Sequence, residues 1–463
     1  MDYREVSEAR DGMQIDWDVP IKMEDGTVLR ADVYRPIEEG TYPVILTHGP
    51  YGKWLHFEDT YADQWRIMCE SHPEVPEGTS NKYQNWETVD PEKWVPDGYA
   101  VVRIDSRGAG RSDGVMDIWS RQEALDQYEC IEWAAQQPWS TGKIGLNGIS
   151  YYAMNQWQTA EFQPPHLTAM CAWEGSTDYY RYMVFHGGIY CPSRVNWFRS
   201  QILPVQHGKG SNGFKSRMTG DWVAGPETLS EEELEESRHD FDTESASHPL
   251  ATEEFWTSRL PDFSKINVPL LSAGNWGGQG LHPRGNFEGF TRSASKEKWL
   301  EMHGKEHWTE FYTDYGVALQ KKFFGHFLKG EDTGWSEQPR VLLQVRHPGE
   351  KFVERGEDAW PLSSTEWTKF HLHPADHVLT TEPQTQDGTL TYGGLSQGVT
   401  FLTTPLEQET EITGPIASKL FVSSTTEDAD LFLIVRVFSE DMKEVTFIGA
   451  IDPHTPVAQG WLR

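Results

Sequence analysis

KIGLNGISYYA, residues Lys143–Ala153, decides how the rest of the chain is read. A β-prone run ends at Gly148-Ile149-Ser150, and the residues after it, YYAMNQWQTA, suit a helix. A serine at a strand-to-helix junction, two residues after a glycine, fits a sharp turn that lifts its hydroxyl above a sheet. The usual form of that turn has a second glycine two residues after the serine; here Tyr152 stands there and Ala153 follows. An isolated G-x-S is far more often an ordinary turn, so the strand and helix around it carry the argument.

The flanking segments repeat the same alternation. The hairpin pattern VPIKMEDGTVLRADVYRP turns at Asp25-Gly26, and the apolar run Pro43–Thr47 then enters the loop HGPYG. A long polar stretch, about Leu55 to Pro96, precedes the β-branched run Val101–Ile104 and its loop DSRGAGRSDG. Ala124, Tyr128, Ile131 and Ala135 recur at helical spacing, and after Ser150 a further strand, HLTAMCAWEG, follows Pro164-Pro165. Continuous apolar strands alternating with helices predict a doubly wound α/β sheet over residues 1–360. Residues 186–261 break the alternation and read as a helical cap insertion, with Ser230 as N-cap of the acidic run. Residues 361–463 carry short strands between turns, the pattern of a β-sandwich.

Composition narrows the function classes. A formal net charge of −31 repels phosphate backbones and anionic membranes, so neither nucleic acid nor membrane is an expected partner. Four scattered cysteines form no C-x-x-C pair, and the N-terminus lacks a basic-then-apolar leader, so a cytoplasmic setting is expected. His282, His303, His307 and His326 form no ligand spacing, and neither a metal nor a cofactor is expected. DSRGAGRSDG lacks the order of a phosphate loop and reads as a structural loop beneath the site.

A serine hydroxyl needs a base with a pKa near neutrality, in practice histidine, and donors for the oxyanion that forms on attack. One donor of such a turn is the amide after the serine, here Tyr151; the other comes from the loop after an earlier strand, where HGPYG lies. Five stretches in order, DGTVLRADVYRP, THGPYGK, DSRGAGRSDG, WSTGKIGLNGISYY and AWPLSSTEW, resemble the X-Pro dipeptidyl-peptidase, cocaine esterase and glutaryl acylase family. The resemblance spans essentially the whole chain. It implies a serine hydrolase of α/β-hydrolase fold with a helical cap and a C-terminal jelly roll. Carried over, it makes Ser150 the nucleophile, Tyr51 an oxyanion donor beside the Tyr151 amide, and His307 in HGKEHW the base, with His303 next in line.

The acid departs from the family pattern, because AGNWGGQGLHPRGN has Gly277 or Gly278 where an aspartate is expected. Glu174, at the carboxyl end of the preceding strand, is the expected replacement; Asp178, Glu306 and Glu310 compete with it, as does a purely structural ion pair. The jelly roll begins on schedule but the chain stops at GWLR, and the expectation is a shortened sandwich with open edges and a tendency to self-associate as a homo-oligomer. The substrate expected is a small-molecule ester or amide, X-Pro peptides included. The rival readings are an acyltransferase using the same site and a non-catalytic binding protein on a hydrolase fold.

Overall fold

The structure, a computed structural model, describes residues 3–349, 351–449, 452 and 454–463, with only the backbone of Arg194 and Val195. Its central feature is an 11-stranded sheet. In chain order the strands are β1 (Val6–Arg10), β2 (Met13–Lys22), β3 (Val28–Arg35), β4 (Tyr42–Gly49), β5 (Ala100–Asp105), β6 (Ser140–Ile149) and β7 (Leu167–Trp173). A small separate hairpin, β8 (Phe185–His186) and β9 (Ile189–Tyr190), intervenes before β10 (Leu270–Asn275), β11 (Lys298–His303), β12 (Val341–His347) and β13 (Lys351–Glu357).

The order across the sheet is β1-β2-β3-β5-β4-β6-β7-β10-β11-β12-β13, parallel from β5 to β12 and antiparallel at both margins. Strand order reverses between β4 and β6, which opens a crevice at their carboxyl ends, where ligands collect in sheets of this kind. Tyr51 follows β4 and Ser150 follows β6, so the topology puts both at that crevice. β4 and β5 are buried almost end to end, as strands covered on both faces must be. The helices Arg121–Ala135 and Tyr151–Ala160 supply part of that cover, the first capped by the Ser120 hydroxyl on the Glu123 amide.

Between Tyr180 and Lys265 the chain forms short helical turns. The acidic run begins at Ser230 with a reciprocal Ser230–Glu233 capping box and makes the helix Glu231–Glu236. Beyond β13 the described residues form short two-stranded ladders and no helix, and Leu395, Phe421 and Phe432 face solvent. This strand-rich region packs against the turn after β10 and against the β8–β9 hairpin. The Gln279 amide donates to the carbonyls of Pro456 (2.9 Å) and Val457 (3.0 Å), and the Arg463 amide donates to Gly187 (2.8 Å). Among the described residues no helix is long and apolar enough to cross a membrane.

Candidate active site

Ser150 sits at φ 56°, ψ −111°, immediately before the helix Tyr151–Ala160. For a residue with a Cβ this left-handed conformation costs on the order of 1–3 kcal/mol and persists only where the surroundings enforce it. They do so here. The Ser150 amide donates to Trp173 (3.0 Å), and its carbonyl accepts from Ala153 (2.9 Å) and Met154 (2.7 Å). Gly148 is squeezed between the Tyr152 side chain and the Glu87 carbonyl, with no room for a Cβ. The bulky Tyr152, in the place of the usual glycine, is accommodated by Gly49 opposite: a Cβ there would stand 2.7 Å from the Tyr152 ring. The close approach is kept, and the glycine that permits it has moved to β4.

The Ser150 hydroxyl is partly exposed and lies 3.2 Å from Nε2 of His282, not of His307. His282 comes from the loop after β10, and its ring stacks on that of His307 at 5.0 Å and 12°. Its Nδ1 accepts from the Ser176 amide at 3.4 Å. A neutral imidazole carrying its acceptor on Nδ1 has its proton on Nε2, so His282 donates to the Ser150 oxygen.

His307 has the opposite polarity. Its Nδ1 donates to Glu174 Oε2 at 2.6 Å, and its Nε2 lies 3.0 Å from Glu87 Oε1. Glu174, fully buried at φ 52° just past β7, also meets His303 Nε2 at 3.0 Å, and His303 Nδ1 meets Glu301 at 2.7 Å. Burial alone would raise the Glu174 pKa, but the two histidines hold it below the usual carboxylate value. Burial would lower that of His307, yet Glu174 and Glu87 outweigh it and push it up to about 10.

The gap in the family pattern has a spatial explanation. Gly277 packs against the backbone of Ile448 and Gly449, which excludes any side chain. A Cβ on Gly278 would stand 3.7 Å from Glu174 Oε2, so the Glu174 carboxylate fills the space such a side chain would enter. Two of the three competing acids are engaged elsewhere, Asp178 with Arg181 at 2.7 Å and Glu310 with Gln344 at 3.0 Å. Among the described residues the Glu306 carboxylate makes no hydrogen bond to His303 or His307, whose ring nitrogens meet Glu301, Glu174 and Glu87.

On the other flank the Tyr51 hydroxyl accepts from the Trp197 indole at 3.2 Å, which leaves its own proton available to a developing anion. Burial, followed by the Glu87 charge, raises the Tyr51 pKa well above its ordinary value, so it stays a donor. The Tyr151 ring is buried, stacked on Trp119 at 4.9 Å and bonded to Glu123 at 2.7 Å, which fixes the residue that follows the serine. The Tyr51 loop is pinned from behind. Asp105 accepts the Lys53 amide (2.6 Å) and the Arg111 amide (2.8 Å), and the Lys53 ammonium bridges Asp18 and Asp32 at 2.9 Å each. DSRGAGRSDG thus braces the loop that carries Tyr51.

Two residues of this site escape a reading of the sequence. Glu87 lies in the polar stretch before β5, where no periodicity marks it. His282 stands out in sequence only as one of several histidines. Trp197 reaches the site through its contact with Tyr51, and the Trp222 carbonyl accepts from Arg111.

A strained serine at the carboxyl edge of a parallel sheet, flanked by imidazoles, buried carboxylates and a phenol, defines an enzyme of the serine hydrolase class on an α/β-hydrolase fold. The profile of the X-Pro dipeptidyl-peptidase (S15 family) matches residues 25–309, and that of the X-Pro dipeptidyl-peptidase C-terminal non-catalytic domain matches residues 333–463. The chain belongs to this family. It is similar to a CocE/NonD family hydrolase of known structure from Staphylococcus aureus, at 31% identity and TM-score 0.78, over 97% of this chain and 76% of that one. It is 24% identical to the cocaine esterase of Rhodococcus sp. (strain MB1 Bresler), over 91% of this chain and 80% of the relative. It is also 24% identical to a putative Xaa-Pro dipeptidyl-peptidase of Rhodopirellula baltica, over 66% of this chain and 51% of that protein.

Proposed function

We propose that the protein hydrolyses small carboxylic esters through an acyl-enzyme on Ser150, with His307 as base and Glu174 as the carboxylate that orients it. The observation that carries this is the strained, partly exposed Ser150 beside the stacked His282 and His307 rings, with His307 anchored on Glu174 at 2.6 Å. His307 takes the base role because its Nδ1–H is anchored on the Glu174 carboxylate, so Nε2, which meets Glu87 at 3.0 Å, is the nitrogen that exchanges a proton. Ser150 attacks the ester carbonyl while its proton passes to His307 Nε2. The oxyanion is held by the Tyr51 hydroxyl and the Tyr151 amide, and the imidazolium returns the proton to the leaving alcohol. Water, activated by the same imidazole, then releases the acid and frees Ser150.

Esters are favoured over X-Pro peptides by two features. Tyr51, Trp119, Tyr151 and Trp197 pack together beside the serine turn, an aromatic cluster suited to an apolar acyl group. The esterase relative aligns with more of the chain than the peptidase relative does. The net charge of −31 speaks against nucleic acid as a partner. Steady-state kinetics on a panel of acyl esters, acyl amides and aminoacyl-prolyl anilides test the reading: kcat/KM highest on the esters, abolished by Ser150→Ala, is the expected result. Preference for the prolyl anilides, or activity that survives Ser150→Ala, overturns it.

A second reading rests on the Ser150–His282 contact and makes His282 the base. The ε-amide of glutamine can replace an Nε2–H donor but not a base. His282→Gln therefore stays within about 10²-fold of wild type if His282 only donates, and falls by about 10⁶ if it is the base.

A further inference from the structure

One buried carboxyl at the site has no part in the scheme above. Glu87 is 2% exposed, holds a left-handed φ of 63°, and is clamped under the serine turn by its carbonyl, which accepts the Ile149 amide at 3.0 Å. Asn85, two residues earlier, donates to the carbonyls of Gly52 (3.1 Å) and Leu55 (2.7 Å), which ties the segment to the Tyr51 loop. One Glu87 oxygen meets His307 Nε2 at 3.0 Å, the nitrogen that must take the serine proton, and the carboxyl also draws on the Tyr151 amide.

We propose that Glu87 is a positioning residue for proton transfer: in the free enzyme it and His307 share one proton, and the imidazole turns to Ser150 once that proton has left. The proposal rests on the assignment of His307 as base. With the proton between them, the Glu174–His307–Glu87 chain is closed and Nε2 is occupied. Once the proton is lost to solvent, the Nε2 lone pair faces an anionic carboxylate with nothing to bind them. The Ser150 hydroxyl is then the donor it must accept from for attack to begin.

The surroundings of Glu87 support a proton held there. Burial raises its pKa to about 7, against the opposing pull of His307 and the Tyr151 amide and with a push from the Glu174 charge. The phenols of Tyr51, Tyr61, Tyr152 and Tyr312 face it from four further segments, each with its own ionisation raised, so they stay neutral. The active form has the shared proton removed, so kcat/KM rises with pH through the ionisation of the pair. Removing the Glu87 charge leaves His307 with one carboxylate instead of two, which lowers that ionisation.

The test is the pH dependence of kcat/KM for ester hydrolysis by the wild type, Glu87→Gln and Glu87→Asp, each normalised to its own plateau. The glutamine variant should move the acid limb down by about 1–3 pH units, while the aspartate variant, which keeps the charge, stays near the wild type. An unmoved limb in a folded Glu87→Gln variant that still labels at Ser150 overturns the proposal and leaves Glu87 a structural residue. Loss of the limb in His307→Gln checks the assignment beneath it: if the limb survives there, the base is wrong, whatever Glu87 does. Should Glu87→Gln fail to fold, the imidazole NMR titration of His307 in the wild type decides. A midpoint well above the ordinary value supports the shared proton, and one near 6.5 overturns it.

Discussion

The two flanks of Ser150 solve opposite electrostatic problems. On one side His303, His307, Glu87, Glu174 and Glu301 form a fully buried chain in which imidazoles alternate with carboxylates. On the other, Tyr51, Trp119, Tyr151 and Trp197 form an aromatic cluster in which the Trp197 indole donates to the Tyr51 hydroxyl and the Tyr151 hydroxyl donates back to the buried Glu123. In the proposed scheme protons move on the first flank, so it holds groups that change charge. Charge only visits the second, so it holds donors that never ionise. The lesson is that the oxyanion side keeps its charges one layer back, in the Asp18–Lys53–Asp32 bridge and the Asp18–Arg111 pair, where they hold the loop without entering the field of the substrate.

Substitutions break this contrast in a graded way. His307→Ala removes the base itself and should lower kcat by about 10⁶, read in steady-state ester hydrolysis. Glu174→Gln keeps the geometry but allows the wrong tautomer, with an expected loss of about 10⁴ in kcat; Glu310→Gln, tied to Gln344 outside the chain, serves as the control and should lose little. On the neutral flank Tyr51→Phe removes one oxyanion donor and should cost about 10²-fold in kcat with KM little changed. Lys53→Met, one layer further back, leaves Asp32 without its cation. Its main effect should be a loss of about 3–5 kcal/mol in chemical denaturation, with a smaller fall in rate than Tyr51→Phe. If Lys53→Met costs more rate than Tyr51→Phe, the separation between bracing charges and visiting charge is wrong.

Much of this arrangement is legible in the sequence, for physical reasons. The strand–turn–helix around Ser150 is local, so the short segment that encodes it also reveals it. The nearness of Glu174 to His307 is legible because each follows a parallel strand, β7 and β11, and the strand between them ends in glycines that leave the space open. The positions of Glu87 and His282 are not. Glu87 reaches the site through a stretch without regular periodicity, held by backbone contacts of Asn85 and Ile149 that leave no mark on residue pattern. His282 is set by the turn Gly277–Leu281 just ahead of the helix Pro283–Arg292, and that turn is shaped partly by Ile448 and Pro456, far along the chain. The expectation that His307 would touch Ser150 treated the two histidine loops separately, whereas their rings stack and only one reaches the hydroxyl.

Fluorophosphonate labelling followed by peptide mass mapping tests the central claim most directly. The account predicts a single phosphonylated peptide containing Ser150, absent in Ser150→Ala and formed far more slowly in His307→Ala. An unlabelled wild-type protein, or a label that persists at full rate in Ser150→Ala, would contradict it.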